Sequence, residues 1–461
     1  MNKTLYAIAL ILILVSPYQS AIAQDDTAYP FYIIQPGETL YQIALNFGVT
    51  VNEIIILNNI NNPDFVSPGT QIFIPGLTGI NGEVTSQTIN IGENFNAILH
   101  KTSLNADILV KLNRKTSPTE IYAGSSLILP INNTLYKASL CIKLNQSVFE
   151  NSLFNDVNPW TLILGNSLES SIVLVPSEIG FYPTEINGSI VSSISPFLNT
   201  VTILPLPLVQ GNTVVIRVSS KVPVSLRGNL NGFDIHFFQS SNNDYYAMQG
   251  IHAFADSGMA PFTLSGSFEN GQYFSFQQNV LLKSGNYNQD PPIYVKDETI
   301  DPANTKPEDD FVRSLISNIT PEKYWSGFFV DPVDAPICYK SVFGNRRSYN
   351  GSDYNYFHTG LDYGVCAPSL NIYAAEAGKV VFAGPLTVRG NATFIDHGQG
   401  IFSGYFHQSE LKVSVGDVVE KGKLIGIIGA TGRVTGPHLH FEIWVNGIQV
   451  DPYQLINKTY P

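Results

Sequence analysis

The chain has little cysteine, little positive charge and no apolar run long enough for a comfortable membrane span. Three cysteines occur in 461 residues, Cys141, Cys338 and Cys366, which excludes a disulfide framework as the source of the fold. Lys and Arg total 25 against 37 Asp and Glu, a formal net charge of −12. That balance argues against nucleic acid, because phosphate recognition needs clustered cations. A polymer bound by such a chain is recognised through hydrogen bonds and shape. The apolar run Leu5 to Val15 is too short to span a bilayer. With Lys3 before it and Ala21-Ile22-Ala23 after it, residues 1–23 read as an export signal cleaved after Ala23. The residue directly after that point is Gln24 and not cysteine, which argues against a lipid anchor. Gly426, Gly429, Gly432 and Gly436 lack the Lys-Ser/Thr ending of a phosphate loop and read as turn glycines.

What is present suffices for three or four domains. Thr39 with Gln42, and Thr50 with Glu53, fit the capping-box pattern and predict two short helices, Leu40 to Phe47 and Val51 to Leu57. They are stopped by Gly48 and by Asn58-Asn59. Tyr32-Ile33-Ile34 before them and Gln71-Ile72-Phe73-Ile74 after them read as strands, giving a small α+β module over 30–76. Shifted by 55 positions the pattern recurs: Gly37-Glu38 meets Gly92-Glu93, Asn58 meets Asn113, Gly69 meets Gly124 and Pro75 meets Pro130. The second copy, 86–131, is worn, with Asn94 in place of the capping threonine.

These residues resemble LysM modules, which bind polymers containing N-acetylglucosamine such as peptidoglycan or chitin. The resemblance implies a glycan groove near Gly37, Glu38, Thr39, Asn58, Ile60 and Asn61. Each of these is also a turn or cap position in its own right. From 135 to 298 short period-2 runs broken by Gly, Pro, Asn and Ser predict an all-β, sandwich-like spacer, either one unit or two divided near Asn199. It faintly resembles the immunoglobulin-like spacers of exported bacterial enzymes. His236 and His252 lie there without ligand partners at useful spacing and read as structural. Residues 299–323 are polar and proline-punctuated and read as a linker, with one short helix over Phe311 to Ile319.

The last stretch, 324–461, concentrates the chemistry. Five of the eight histidines, His358, His397, His407, His438 and His440, lie in it. Alternation from His438 to Val445 predicts a strand, so His438 and His440 share one face, a pair able to bind a metal or to divide metal binding and proton transfer. His358-Thr-Gly-Leu-Asp362 supplies another imidazole and a carboxylate. His397 and Asp396 read as turn residues. In order, Phe343-Gly344, His358 to Asp362, Tyr405-Phe-His407 and His438-Leu-His440 resemble the lysostaphin-like (LytM-type) zinc metalloendopeptidases, which cut peptide cross-links of bacterial cell walls. The resemblance implies Zn2+ held by His358, Asp362 and His440, with His407 and His438 as the catalytic pair. Arg346, Tyr349, Tyr354 and Tyr405 are further orientation candidates. Val415 to Gly422 also looks like a carrier-domain hairpin, but no framed lysine stands at its tip.

In an oxidising compartment Cys338 and Cys366, which flank the start of the site, are placed to close a loop across it. Cys141 is left over as a buried apolar group. The fold expected of 324–461 is mainly antiparallel β with an open groove, walled by loops around Tyr349 to Asn355, Thr387 to Asn391 and Arg433 to Gly436. The function expected is that of an exported, zinc-dependent endopeptidase acting on peptidoglycan in the cell wall, periplasm or medium. LysM modules bind the glycan strands, the groove takes the stem or cross-bridge peptides, and neither nucleic acid nor, after signal cleavage, a membrane is a partner. Two alternatives belong to other classes: an inactive wall-binding homologue that activates another hydrolase, and a structural wall protein carried by LysM alone.

Overall fold

The computed structural model describes residues 29–64, 66–77, 82–102, 104, 106–113, 120–131, 137–141, 147–154, 159, 162–163, 179–183, 194–195 and 197–461. The expected export signal lies outside the described residues, as does the side chain of Cys141. Two compact units are present. The first holds the N-terminal module, in which the strand Phe31–Ile33 pairs antiparallel with Gln71–Phe73. Both expected capping boxes form, with Thr39 and Thr50 accepting from the backbones of Gln42 and Glu53, and Gly48 and Asn59 close the helices in the left-handed region. Asn58 clamps the return strand: its amide donates to the Phe73 carbonyl (2.8 Å) and its Oδ1 accepts the Phe73 N–H (2.6 Å). At the corresponding positions of the second copy, Asn113 holds Ile128 at 2.9 and 2.6 Å. Repetition of the clamp at the same shift marks it as part of the module's construction.

The second unit contains the β-rich middle and the C-terminal region. Strands between Leu198 and Lys283 form a five-stranded and a four-stranded sheet that enclose Val214, Ile216, Val218, Phe262, Leu264 and Val280. Alternation within Thr213–Ser220 puts Val214, Ile216 and Val218 on the buried face, the pattern a half-solvated strand requires. The middle region also carries a helix, Val148–Phe154, announced by a capping box in which Ser147 and Glu150 satisfy each other.

Residues 299–323 depart from the linker expected of them. A fifteen-residue helix, α1 (Pro302–Ile316), runs through them in place of the short helix over 311–319. Asp301 caps it by accepting from the Ala303 N–H, and Pro302 stands in the first turn, where its missing N–H costs nothing. The reason for a helix in a polar stretch is tertiary: Val312 and Ile316 pack on Phe394, Phe402 and Trp444.

The main C-terminal sheet has eight strands: β1 (Tyr339–Ser341), β2 (Leu361–Tyr363), β3 (Gly378–Leu386), β4 (Gly390–Gly398), β5 (Ile401–Gln408), β6 (Val418–Val419), β7 (Leu439–Val445) and β8 (Ile448–Val450). Their order is β1-β2-β7-β5-β4-β3-β6, with β8 on the far end of β7, and the pairs are antiparallel. One face packs on a core of Tyr363, Ile395, Tyr405, Phe441 and Ile443, to which Met248 of the middle region belongs. The other face carries Phe394, Phe406, His440, Glu442 and Trp444; α1 covers part of it, and the rest floors a cleft.

Candidate metal centre and cleft

His440 lies at the centre of the floor. It is central in the sheet, opposite Asp362 on β2 and opposite Phe406 on β5. Cross-strand neighbours share a face, so the register alone sets the Asp362 carboxylate beside the His440 ring. His358, three residues before β2, completes the group. His358 Nε2 lies 2.9 Å from Asp362 Oδ1 and 3.0 Å from His440 Nδ1, and His440 Nδ1 lies 2.7 Å from the same oxygen. All three residues are buried.

Outer partners determine which nitrogen of each ring faces inward. His358 Nδ1 is 2.8 Å from the Val342 carbonyl, which can only accept, so Nδ1 carries the proton and Nε2 offers its lone pair. His440 Nε2 is 2.9 Å from the Glu442 carboxylate, which fixes the proton there and turns Nδ1 inward. Burial holds the His358 imidazole down at about 4. Burial opposes charge at Asp362 too, but His358 and His440 outweigh it and keep that carboxyl well below its usual range. His440 is lowered by burial and raised more by its bonds to Asp362 and Glu442.

Two lone pairs and a carboxylate oxygen converging within hydrogen-bond distance repel one another unless a cation sits among them. Two imidazoles and one carboxylate form the donor set of a catalytic zinc site, with a position left for water or substrate, and the residues present fit Zn2+.

His407 and His438 stand beside this group with ring centroids 4.9 Å apart, and His407 is 6.0 Å from His440. Strict alternation along β5 would send His407 to the opposite face from Phe406, which stacks on His440. A bulge intervenes: Asn391 pairs with Gln408 but Thr393 with Tyr405, and His407 takes a left-handed φ of 64°. The extra residue turns His407 back towards His438, a use of bulges common beside active sites. One loop then orients both rings. The Thr431 carbonyl accepts from His407 Nδ1 and the Gly436 carbonyl from His438 Nδ1, each at 2.8 Å. Both Nε2 atoms are left as acceptors. Burial and the neighbouring imidazoles hold His407 well below its ordinary range, and burial lowers His438 as well.

The cleft encloses about 660 Å³. Its walls include Tyr349 and Asn355, Val388 and Arg389, and Arg433 to Thr435, all in the three expected loops. Two further walls come from elsewhere: Phe233, His252 and Phe254 of the sandwich, and Thr305, Asp309 and Val312 of α1. His252, expected to be merely structural, therefore faces the cleft and packs on Phe357 at 5.4 Å.

Several sequence candidates lie elsewhere. Tyr405 is fully buried on the core face, where it accepts from the Ala375 N–H. Arg346 stacks over Phe254 at 3.9 Å, and Tyr354 donates to the Asp290 carbonyl. His397 is buried between the Ala377 carbonyl and Ser403, outside the metal group, and Asp396 accepts from the Gly398 N–H. Cys338 and Cys366 form a disulfide with Cα atoms 6.1 Å apart.

Three polar residues of the site, Glu442, Thr359 and Arg347, are not among the sequence candidates. Glu442 was legible, two positions after His440 on the same strand face. Thr359 donates to it. Arg347, which holds the second oxygen of Asp362 at 3.2 Å and also meets Asp290 at 3.4 Å, carried no local signal.

In the N-terminal module, Gly37 makes a turn at φ 85°, Glu38 accepts from Tyr32 Oη and the Gln35 N–H, Thr39 is the cap and Asn58 the clamp. Ile60 packs at the edge of the core and Asn61 is exposed. In the second copy the equivalent loops are packed on the sandwich. Gln278 accepts from the Gly92 N–H (2.8 Å) and donates to the Glu93 carbonyl (3.0 Å), while the Leu281 N–H donates to the Ala123 carbonyl (2.8 Å).

Residues 356–452 match Peptidase family M23, and residues 32–75 and 88–130 match the LysM domain. The C-terminal region is a Peptidase family M23 domain. Two LysM domains precede it. The peptidoglycan DD-endopeptidase ShyC of Vibrio cholerae is 36% identical over 121 residues, 26% of this chain and 28% of that protein. The DD-carboxypeptidase/endopeptidase Mpg of Neisseria meningitidis is 42% identical over 102 residues, 22% of this chain and 23% of its own length. The match thus spans about a quarter of these relatives. Among solved structures, the antimicrobial peptidase lysostaphin from Staphylococcus simulans is 34% identical, covering 22% of this chain and 44% of that one, with a TM-score of 0.21.

Proposed function

We propose that this protein is an exported zinc-dependent endopeptidase that hydrolyses peptide cross-links of bacterial peptidoglycan, acts in the cell wall or periplasm, and is brought to its substrate by LysM modules. The observation that carries this reading is the convergence of His358, Asp362 and His440 on one point with the open Nε2 atoms of His407 and His438 beside it. In this reading His358 Nε2, Asp362 Oδ1 and His440 Nδ1 hold the ion. When bound, zinc supplies Lewis acidity, polarising the scissile carbonyl and making water nucleophilic near neutral pH.

The chain's own residues do the rest. His407 and His438, both neutral at pH 7 and both with Nδ1–H tied to carbonyls, offer Nε2 to take the proton of the attacking water and return one to the leaving amine. The ring that becomes protonated also stabilises the oxyanion. The anionic Asp362, whose Oδ1 lies 3.6 Å from His438 Nε2, favours the imidazolium once it forms. Burial of the group excludes bulk water and strengthens each of these interactions.

Glycan binding is assigned to the first LysM domain around Gly37, Glu38, Thr39, Asn58, Ile60 and Asn61. The corresponding loops of the second are engaged by Gln278 and Leu281 of the sandwich. The peptide occupies the cleft.

The test is zinc content together with mass spectrometry of peptidoglycan digested with and without chelator. One zinc per chain and chelator-sensitive new peptide termini are expected. His440→Ala should lose both, and His438→Ala should keep zinc and lose turnover. Peptidoglycan cleavage by both variants would overturn the site. Deleting residues 24–131 should weaken wall association more than hydrolysis of a soluble peptide, and equal wall affinity would remove the targeting role.

A further inference from the structure

Four arginines line the cleft, and three of them are neutralised within the chain. Arg347 meets Asp290 and Asp362, Arg389 meets Glu308 and Asp309, and Arg313 meets Asp310. Arg433 has no carboxylate within 4.0 Å among the described residues, in a chain where acidic side chains outnumber basic ones 37 to 25. Its position is nonetheless fixed. The guanidinium carbon sits 4.5 Å over the ring of Tyr349, itself only 7% exposed, and Nη1 donates to the Thr299 carbonyl at 3.3 Å. Its backbone N–H is held by the Val388 carbonyl at 2.8 Å. A guanidinium has five N–H donors in a rigid fork, and one hydrogen bond to a neutral carbonyl leaves most of that fork available.

We propose that Arg433, stacked on Tyr349, binds a free carboxylate of the peptide substrate, so that the cleft selects acidic peptides over neutral ones. The inference rests on the endopeptidase reading above and adds to it a substrate class. A planar carboxylate accepts two parallel bonds from such a fork, and a cation already oriented by stacking loses little freedom on binding it.

The loop that carries Arg433 also carries the Thr431 and Gly436 carbonyls that orient His407 and His438. Anchoring the substrate at Arg433 therefore sets its position relative to the two rings through one short, braced segment. Arg433 is a positioning and specificity residue in this scheme and takes no part in proton transfer. The carboxylate has two sources in a branched wall peptide: its C-terminus and a side-chain or branch carboxyl.

The experiment uses the zinc-loaded full chain and three cross-linked peptide dimers of one sequence: one with every carboxylate free, one amidated at the C-terminus, and one amidated at the side-chain and branch carboxyls. Turnover is measured with the unmodified chain, and binding of the same three by calorimetry with the turnover-deficient holoprotein His438→Ala. A charged hydrogen-bond pair predicts that one of the two amidations raises both KM and the dissociation constant by about ten- to a hundredfold, with kcat changed by less than about threefold. Which amidation does so names the source. Arg433→Gln should make all three dimers equivalent, and Arg433→Lys should restore part of the preference. If Arg433→Gln loses zinc or melts early, the amidation series on the unmodified chain still decides. Equal KM and equal binding for the three dimers, with the free acid cleaved, would overturn the carboxylate site and leave the endopeptidase reading standing. Failure to bind or cleave any dimer would overturn both.

Discussion

Glu308→Ala is the most informative single perturbation outside the metal group, because it tests whether α1 is locked onto the peptidase sheet. The Glu308 carboxylate is almost fully buried and accepts three bonds from the loop between β3 and β4: the Val388 N–H at 2.7 Å, the Arg389 N–H at 3.1 Å and Arg389 Nη1 at 2.9 Å. Removing it strands two backbone donors at about 1–3 kcal/mol each, and breaking a buried ion pair from one side costs about 3–5 kcal/mol. These costs overlap, since one carboxylate serves all three donors, and Arg389 keeps Asp309 at 3.2 Å, so the net loss is taken as that of the one-sided ion pair at its lower end, about 3 kcal/mol. At 1.4 kcal/mol per tenfold, opening of α1 becomes about a hundredfold easier. Hydrogen exchange of 302–316 and 387–391 measures this directly, since exchange reports local opening. Asp309→Ala is the control: its side chain is 56% exposed, and its loss should cost no more than about 1 kcal/mol. If Glu308→Ala leaves exchange of α1 unchanged, or matches Asp309→Ala, the helix is not held by this carboxylate and its place as a cleft wall loses its support.

Other outcomes follow from the same structure. Burial holds the His397 imidazole at about 4, against 6.5 for the free ring. The unfolded chain therefore takes up the proton first: stability is complete above pH 6.5 and is lost as pH falls towards 4, by at most about 3 kcal/mol. Denaturant midpoints compared between pH 7 and pH 4.5 should reveal this, and His397→Gln should flatten the difference. Glu442→Gln should weaken zinc retention about ten- to a hundredfold in a chelator competition while the fold survives, because a carboxamide orients the His440 ring less strongly. Asn58→Ala should destabilise the first LysM domain by about 2 kcal/mol, seen as faster exchange at Phe73, because loss of the clamp leaves both the Phe73 N–H and carbonyl unpaired. Unchanged exchange there would leave Asn58 free for sugar.

The sequence by itself determined what depends on neighbours within a turn or a strand. The capping boxes at Thr39 and Thr50, the 55-residue repeat, and the shared face of His438 and His440, both of which approach Asp362 Oδ1, are all local, and the structure has each in place. The types of residue at the metal group were equally legible. Local pattern also misled where a long-range contact outweighed it. The polar, proline-punctuated stretch 299–323 reads as a linker until Phe394, Phe402 and Trp444 supply the apolar surface that makes Pro302–Ile316 a helix. Alternation puts His407 on the wrong face until the bulge opposite Asn391 to Thr393 turns it.

Tertiary structure alone decided the rest: the Arg347 bond to Asp362, the sandwich side chains that wall the cleft, and an arginine at 433 with no counter-ion among the described residues. Each of these depends on which distant segments meet. Backbone periodicity carries no record of that, because it reports the face a side chain occupies and not what lies across from it.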